Sequence, residues 1–542
     1  MKTVKYYIAT SVLIACLLAS SAYSQGFWYG ADITDGVLSE EQANALHNFL
    51  TGQDDPSTPE IEGLNIGRTM FGMTRLQNQQ PSEPNGVRIY KPDKTWDGCT
   101  LLSLRGTYRP DPSGPPHRAV LIDMNGNVVN SWPIEWAYPA LLLPNGSVMG
   151  GLGAMAELTG IPNLVQMSWT GEEEWRWSGN SNDVWYTEAE WPSLDPDEPN
   201  EPIGTPKVSG QHHDYQREGN PVGYYVPGQE AIPYGGKTLI LCHHIPGSEL
   251  TQHISDYRLY DEAIYEVDWE GNILFAWYAY LHYDQIGYEE DAKLAVKTSR
   301  SGAPNLENAT DYLHLNTVNY LGPNKWYDDG DLRFHPENII TDSRSSNFIA
   351  MIARYDHPNG QWKSGDIIWK IGPNYSTDYP EAKLGQIIGL HHAHMIPKGL
   401  PGEGNILVFD NGGGAGFGPL IAGLTPISGN TYRNYSRVIE FNPITLEMVW
   451  EYKQSNPTAD YDGDGQILGN ERKLFSFFIS GAQRLQNGNT LITEGQAGRL
   501  LEVTPDNEVV WEYYSDFGFG FNGSVYRAYR YPDSWIPDEM EN

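Results

Sequence analysis

The chain has 542 residues, 69 acidic against 35 basic, for a formal charge of −34 at pH 7. A surface of that sign repels nucleic acid and anionic membranes, so an anionic substrate would need local Arg or His to overcome the global field. With 57 Gly, 37 Pro, 17 Trp and 34 Tyr, the composition describes many short strands joined by tight turns rather than helices.

Residues 1–24 read as a signal peptide. Lys2 and Lys5 form a basic n-region, Tyr6 to Ala19 is the apolar run, and Ala22-Tyr23-Ser24 resembles a cleavage site ahead of Gln25. A periplasmic or secreted protein is the expectation. Lipidation at Cys16 is the less favoured alternative, because apolar residues follow it. No other stretch is long and apolar enough to cross a bilayer. Once Cys16 leaves, only Cys99 and Cys242 remain, enough for one disulfide if they meet.

Residues 25–94 are expected to form a small N-terminal appendage, with a short capped helix from Ser39 through Leu50. Residues 95–542 are expected to form the catalytic domain. There a unit recurs: an apolar strand, a Gly/Asn/Asp turn, then a strand ending in Trp. It runs from Val120 to Trp132, Leu164 to Trp175, Ile264 to Trp277, Gly365 to Trp369, Val438 to Trp450 and Leu500 to Trp511. A second strand type alternates with it, as in Leu143-Pro144-Asn145-Gly146-Ser147-Val148 and Asn487-Gly488-Asn489-Thr490-Leu491-Ile492. These are hairpin signals. Six Trp-ending hairpins predict an all-β fold, a six-bladed β-propeller, with insertions near 170–210, 280–310 and 412–432. In a propeller, residues far apart in sequence meet at the axis.

The chemistry-bearing residues cluster. His391, His392 and His394 sit within four residues; strand alternation sends His392 and His394 to one face and His391 to the other. His212-His213-Asp214 puts imidazole beside a carboxylate, and His314 lies in Asp311-Tyr312-Leu313-His314-Leu315-Asn316-Thr317. Arg344, ahead of the apolar run Phe348–Ile352, is costly there unless it meets an anion or carboxylate. Cys242-His243-His244 has no Arg or Asp companion and is the weakest cluster. Three histidines and an arginine from separate blades suit transfer of a tetrahedral anionic group. Arg and protonated His would stabilise its oxygens, and a neutral His would attack the central atom. The same parts could instead bind a transition metal.

These motifs carry a resemblance. His391-His392-Ala393 followed by Gly404-Asn405-Ile406-Leu407-Val408-Phe409-Asp410-Asn411-Gly412 resembles the arylsulfotransferase family of bacterial periplasmic six-bladed propellers. His314-Leu315-Asn316-Thr317, Asp342-Ser343-Arg344, His212-His213-Asp214 and Ser436-Arg437-Val438 match further family elements in the family's order, over roughly residues 95 to 515. The resemblance implies transfer of a sulfuryl group from an aryl sulfate ester to a phenol through a sulfohistidine, with no nucleotide donor and no catalytic cofactor. Carried over, His391 is the nucleophile, His314 and Arg344 hold the sulfuryl oxygens, and His212 or His213 serves the phenolic oxygen. His392 stands where the family usually has Asp, so the nucleophile register stays open among His391, His392 and His394. A hydrolase or polysaccharide lyase on sulfated glycans, or a non-catalytic glycan- or protein-binding propeller, are the alternatives.

One motif stands apart. Asp460, Asp462, Asp464, Gln466 and Glu471 follow the D-x-D-x-D-G-x5-E spacing that wraps oxygen ligands around calcium, and a structural Ca²⁺ is expected there.

Overall fold

A computed structural model describes residues 86–537 apart from 112, 154–160, 162, 180–208, 245, 299–308, 376–377, 414, 418–432, 434, 454–473 and 518–522. The signal segment, the helix expected at 39–50 and the calcium-type loop at 460–471 lie outside the described residues. Six antiparallel sheets stand in a ring, the six-bladed propeller that the Trp hairpins predict. Blade one joins the C-terminal strand Val525–Tyr531 to Cys99–Tyr108, His117–Ile122 and Val128–Trp132. The inner strands of blades two to six are Trp136–Leu142, Gln211–Arg217, Leu315–Tyr320, His391–Met395 and Gly481–Arg484. Gly86–Tyr90, inside the segment expected as an appendage, is a fifth, outermost strand of blade six, paired with Val509–Tyr514.

The recurring Trp closes the ring. Each indole Nε1–H donates to a backbone carbonyl in the next blade. Trp132 reaches Ser168 at 2.9 Å, Trp175 Trp269 at 2.8 Å, Trp277 Gly365 at 2.9 Å, Trp369 Pro443 at 3.0 Å and Trp450 Pro505 at 3.1 Å. Trp511 of blade six completes the circle on Met124 of blade one, at 2.9 Å. Apolar faces pack between blades. Leu239, Leu241 and Ile264 of blade three meet Leu315, Val318 and Ile339 of blade four. Cys99 and Cys242 are both buried free thiols.

The inner strands all run the same way, so their N-terminal ends share one end of the ring. There the backbone departs from the regular pleat. His213 (φ 55°), His314 (φ 48°), His392 (φ 58°) and Ile479 (φ 49°), at or just before the inner strands of blades three to six, all occupy the left-handed region. Register shifts accompany the first three. A bulge with a left-handed residue re-aims the side chains beside it, at roughly 1–2 kcal/mol per non-glycine residue. Three of the four residues so placed are histidines.

Candidate active site

His212, His213, His314, Arg344 and His391 converge at this end of the axis. The His213 and His314 rings meet edge-on, with centroids 4.7 Å apart, and both are half-buried. His391 lies deeper, at 1 % exposure. Its Nδ1–H donates to Asn411 Oδ1 at 2.9 Å and faces the Gly389 carbonyl at 3.1 Å. Asn411 cannot turn freely, because its Nδ2 donates to the Ser476 carbonyl at 2.7 Å and Ser480 Oγ donates to its Oδ1 at 3.0 Å. The lone pair of His391 is therefore on Nε2, where the Ile479 N–H donates to it over 3.2 Å. Burial, first, and then the charge of Arg344 hold His391 well below the usual imidazole range, so it is neutral. Arg344 is itself buried, at the end of the second strand of blade four, and its amide donates to the His314 carbonyl at 3.1 Å.

Two histidines are backed by carboxylates. Asp311 Oδ2 lies 2.5 Å from His314 Nδ1. Glu262 Oε2 lies 2.6 Å from His212 Nε2, and His212 Nδ1 lies 2.5 Å from His213 Nδ1. The series Glu262–His212–His213 is thus a continuous hydrogen-bonded chain ending at a half-buried imidazole. Glu262 also accepts the Leu315 amide at 2.9 Å. Burial and then the Asp311 charge raise Glu262, whereas burial and then the His314 charge lower His212 and His213.

His392 goes elsewhere. Its Nε2 meets the Tyr529 hydroxyl at 2.9 Å, and its ring lies 4.4 Å from that of His394, whose Nε2 meets Tyr224 Oη at 3.0 Å. This second layer contains Arg527, ion-paired to Asp214 at 3.2 Å with both side chains fully buried. His392 and His394 thus lie together and apart from His391, but the bulge at His392 interrupts the simple alternation expected there. The structure therefore separates His392 from the five residues that converge, and His394, which the register question included, goes with it.

His243 gains the companions its sequence neighbourhood lacks. Its Cα pairs in register with Glu262 on the adjacent strand, and its ring stacks on His212 at 3.5 Å and 3°. The potential donors of His212, His243 and Glu262 fall within 4.8 Å of one another, the spacing of a metal cluster. A metal ion lies close to the plane of each imidazole that binds it, and parallel rings 3.5 Å apart share no such point without one turning. The present arrangement is that of a hydrogen-bonded pair.

Glu262, Asn411 and Tyr526 are site residues that motif reading passes over. Tyr526 donates to the His213 carbonyl at 2.9 Å. Asn411 was in view within the Phe409-Asp410-Asn411-Gly412 run. Glu262, the second residue of a strand buried throughout, Asp261–Val267, carried the only other signal: an acid ahead of an apolar run.

The sequence profile of the arylsulfotransferase (ASST) family matches residues 236–516, more than half of the chain. The chain belongs to that family. The match takes in Glu262, His314, Arg344, His391 and Asn411, while His212 and His213 precede it. No curated protein matches. Among solved structures, a protein of unknown function from Bacteroides caccae is similar at TM-score 0.38 and 12% identity, covering 80% of this chain and 98% of that one. Virginiamycin B lyase from Staphylococcus aureus is similar at TM-score 0.30 and 9% identity, covering 80% and 85%. Likenesses of that size leave the fold assignment to rest on the sheets themselves. Among the described residues, no helix is long and apolar enough to cross a membrane.

Proposed function

We propose that this arylsulfotransferase-family protein moves a sulfuryl group from an aryl sulfate ester to a phenol, with His391 as the covalent carrier. The observation that carries the reading is the neutral, Nδ1–H tautomer of His391, held by Asn411; its Nε2 lone pair meets the long Ile479 N–H contact, with Arg344 and His314 near enough for their charges to act on the ring. In the first half-reaction Nε2 attacks sulfur, displacing the long Ile479 contact. The S–Nε2 bond forms, the S–O bond to the aryl group breaks, and the departing oxygen takes a proton from His213. The Glu262–His212 chain replenishes that proton. Sulfurylation leaves the imidazole cationic, with Nδ1–H still on Asn411 Oδ1. Arg344 and His314 stabilise the negative sulfuryl oxygens; with Asp311 against its Nδ1, His314 can carry and donate a proton at Nε2. In the second half-reaction His213 takes the proton of the incoming phenol, whose oxygen attacks sulfur and frees His391.

The test is intact-protein mass after mixing with 4-nitrophenyl sulfate. Wild type is expected to gain one sulfuryl group and release nitrophenol, and His391→Ala to do neither. An adduct that survives His391→Ala would move the nucleophile to another histidine. Sulfate release without any adduct or acceptor would make the protein a hydrolase.

A further inference from the structure

The directions of three hydrogen bonds fix where protons can sit along Glu262, His212 and His213. Glu262 Oε1 accepts the Leu315 amide at 2.9 Å, which leaves Oε2 as the oxygen that meets His212 Nε2 at 2.6 Å. The Nδ1 atoms of His212 and His213 lie 2.5 Å apart, with the rings at 85°, so one proton lies between them. A neutral imidazole carries a single N–H. The chain therefore has two settings.

In the first, Glu262 is a carboxylic acid and its Oε2–H donates to His212 Nε2. His212 donates from Nδ1 to His213 Nδ1, and His213 holds its own proton on Nε2, the nitrogen left for substrate. In the second, Glu262 is a carboxylate and accepts from His212 Nε2–H. His213 donates from Nδ1 to His212 Nδ1, and its Nε2 is a bare lone pair. The first setting is an acid toward substrate and the second a base. They differ by one proton. Passing between them needs no ring to turn: a proton leaves His213 Nε2, another crosses from His212 Nδ1 to His213 Nδ1, and a third crosses from Glu262 Oε2 to His212 Nε2.

The far end of the chain is covered. Glu262 is fully buried, His212 is buried, and His213 at the near end is half-buried. His243 Nδ1 stands 3.7 Å from Glu262 Oε2, beyond hydrogen bonding, and the His243 ring lies flat on His212 at 3.5 Å. His243 thus roofs the chain without extending it. Burial, first, and the charge of Asp311 favour the neutral acid at Glu262, while burial lowers His212. The spare proton accordingly rests on the carboxyl and not on an imidazolium.

We propose that Glu262 is the proton store of the transfer. As the S–Nε2 bond to His391 forms and the S–O bond to the aryl group breaks, the departing oxygen takes the His213 proton and the chain shifts, leaving Glu262 a buried carboxylate for the life of the sulfo-enzyme. The acceptor phenol returns the proton along the same path. The proposal rests on the sulfuryl-transfer reading above and names the substrates of that site: aryl sulfates and phenols with weakly acidic hydroxyls, of pKa about 10 like tyrosine, whose oxygens neither leave nor attack well unless a proton moves. An activated ester such as 4-nitrophenyl sulfate depends on the store much less.

Glu262→Gln tests it. The amide is an isostere of the protonated acid: its carbonyl can keep the Leu315 amide and its N–H the His212 nitrogen, so the acid setting is held but no proton can follow. Single-turnover sulfurylation, read by intact mass, is expected to slow about a hundredfold more with phenyl sulfate than with 4-nitrophenyl sulfate, within the range of general acid catalysis. Equal slowing with the two esters would make Glu262 structural, and no slowing would place the proton source elsewhere; either overturns the store. Should the variant not fold, infrared difference spectroscopy of wild type decides. The C=O band of one protonated carboxyl is expected to vanish as the sulfo-enzyme forms and to return when phenol is added, and an unchanged band overturns the store. Those failures leave the sulfuryl adduct standing. A wild type that forms no adduct from either ester overturns the transfer reading and the store with it, so the two failures are distinguishable.

Discussion

At the scale of single residues, the site is governed by which nitrogen carries a proton. Asn411 is the residue that decides it for His391, because its own amide is pinned by Ser476 and Ser480. Asn411→Leu keeps the approximate volume and removes the acceptor. It is expected to lower single-turnover nitrophenol release about a hundredfold, within the range for misdirected acid–base groups, while the melting temperature shifts little. A rate within threefold of wild type would show that the tautomer is set elsewhere. His391, His314 and Arg344 were legible as motif residues. Glu262 and His243 were not, because each gains its partners from neighbouring strands: His243 pairs with Glu262 across the ladder, and His212 stacks on His243 from the other side. Sequence proximity carries no trace of register between strands.

At the scale of elements, the hairpins and their tryptophans were the most readable part of the chain. Strand alternation and turn residues act locally, so six repeats of one pattern declare six blades. The indole hydrogen bonds give the repeated Trp its physical reason: each is a staple to the following blade. Trp511→Phe keeps the packing and deletes the bond to the Met124 carbonyl, in the staple that joins blade six to blade one. A loss of about 1–3 kcal/mol is expected, because a buried acceptor is left unmet; the denaturant midpoint at unchanged slope measures it. The bulges at His213, His314 and His392 were not readable. A left-handed non-glycine residue is disfavoured locally and persists only because the packed ring over-determines it.

At the scale of the whole molecule, the many buried titratable groups couple stability to pH. Burial lowers His212, His213, His243, His391 and His392, takes His244 down to about 4 and His394 to about 3. Such groups bind fewer protons folded than unfolded, so their contribution is present above the ordinary imidazole value of about 6.5 and is lost as pH falls below it. The buried carboxyls act oppositely. Asp214 is raised to about 6, Asp342 to about 7 and Asp261 to about 8, and their contribution is present at low pH and lost as pH rises through those values. The histidines are the more numerous set, so the melting temperature is expected to fall between pH 7 and pH 5. It should be read in high salt, which screens the surface charge. A rise over that interval would mean the carboxyls dominate.

The sequence by itself determined what depends on local pattern: the β class and the count of blades, and it named His391, His314, Arg344 and His212-His213 as candidates for the chemistry. Only the tertiary structure decided how the candidates are divided. Adjacent His391 and His392 go to different layers at a bulge with left-handed backbone at His392, and the packed axis offers each a different environment: Asn411 and Arg344 for one, Tyr529 and His394 for the other. Arg105 and Arg344 lie 239 positions apart in a 542-residue chain. They hold matching backbone positions in opposed blades because strand Val525–Tyr531 closes the ring on blade one.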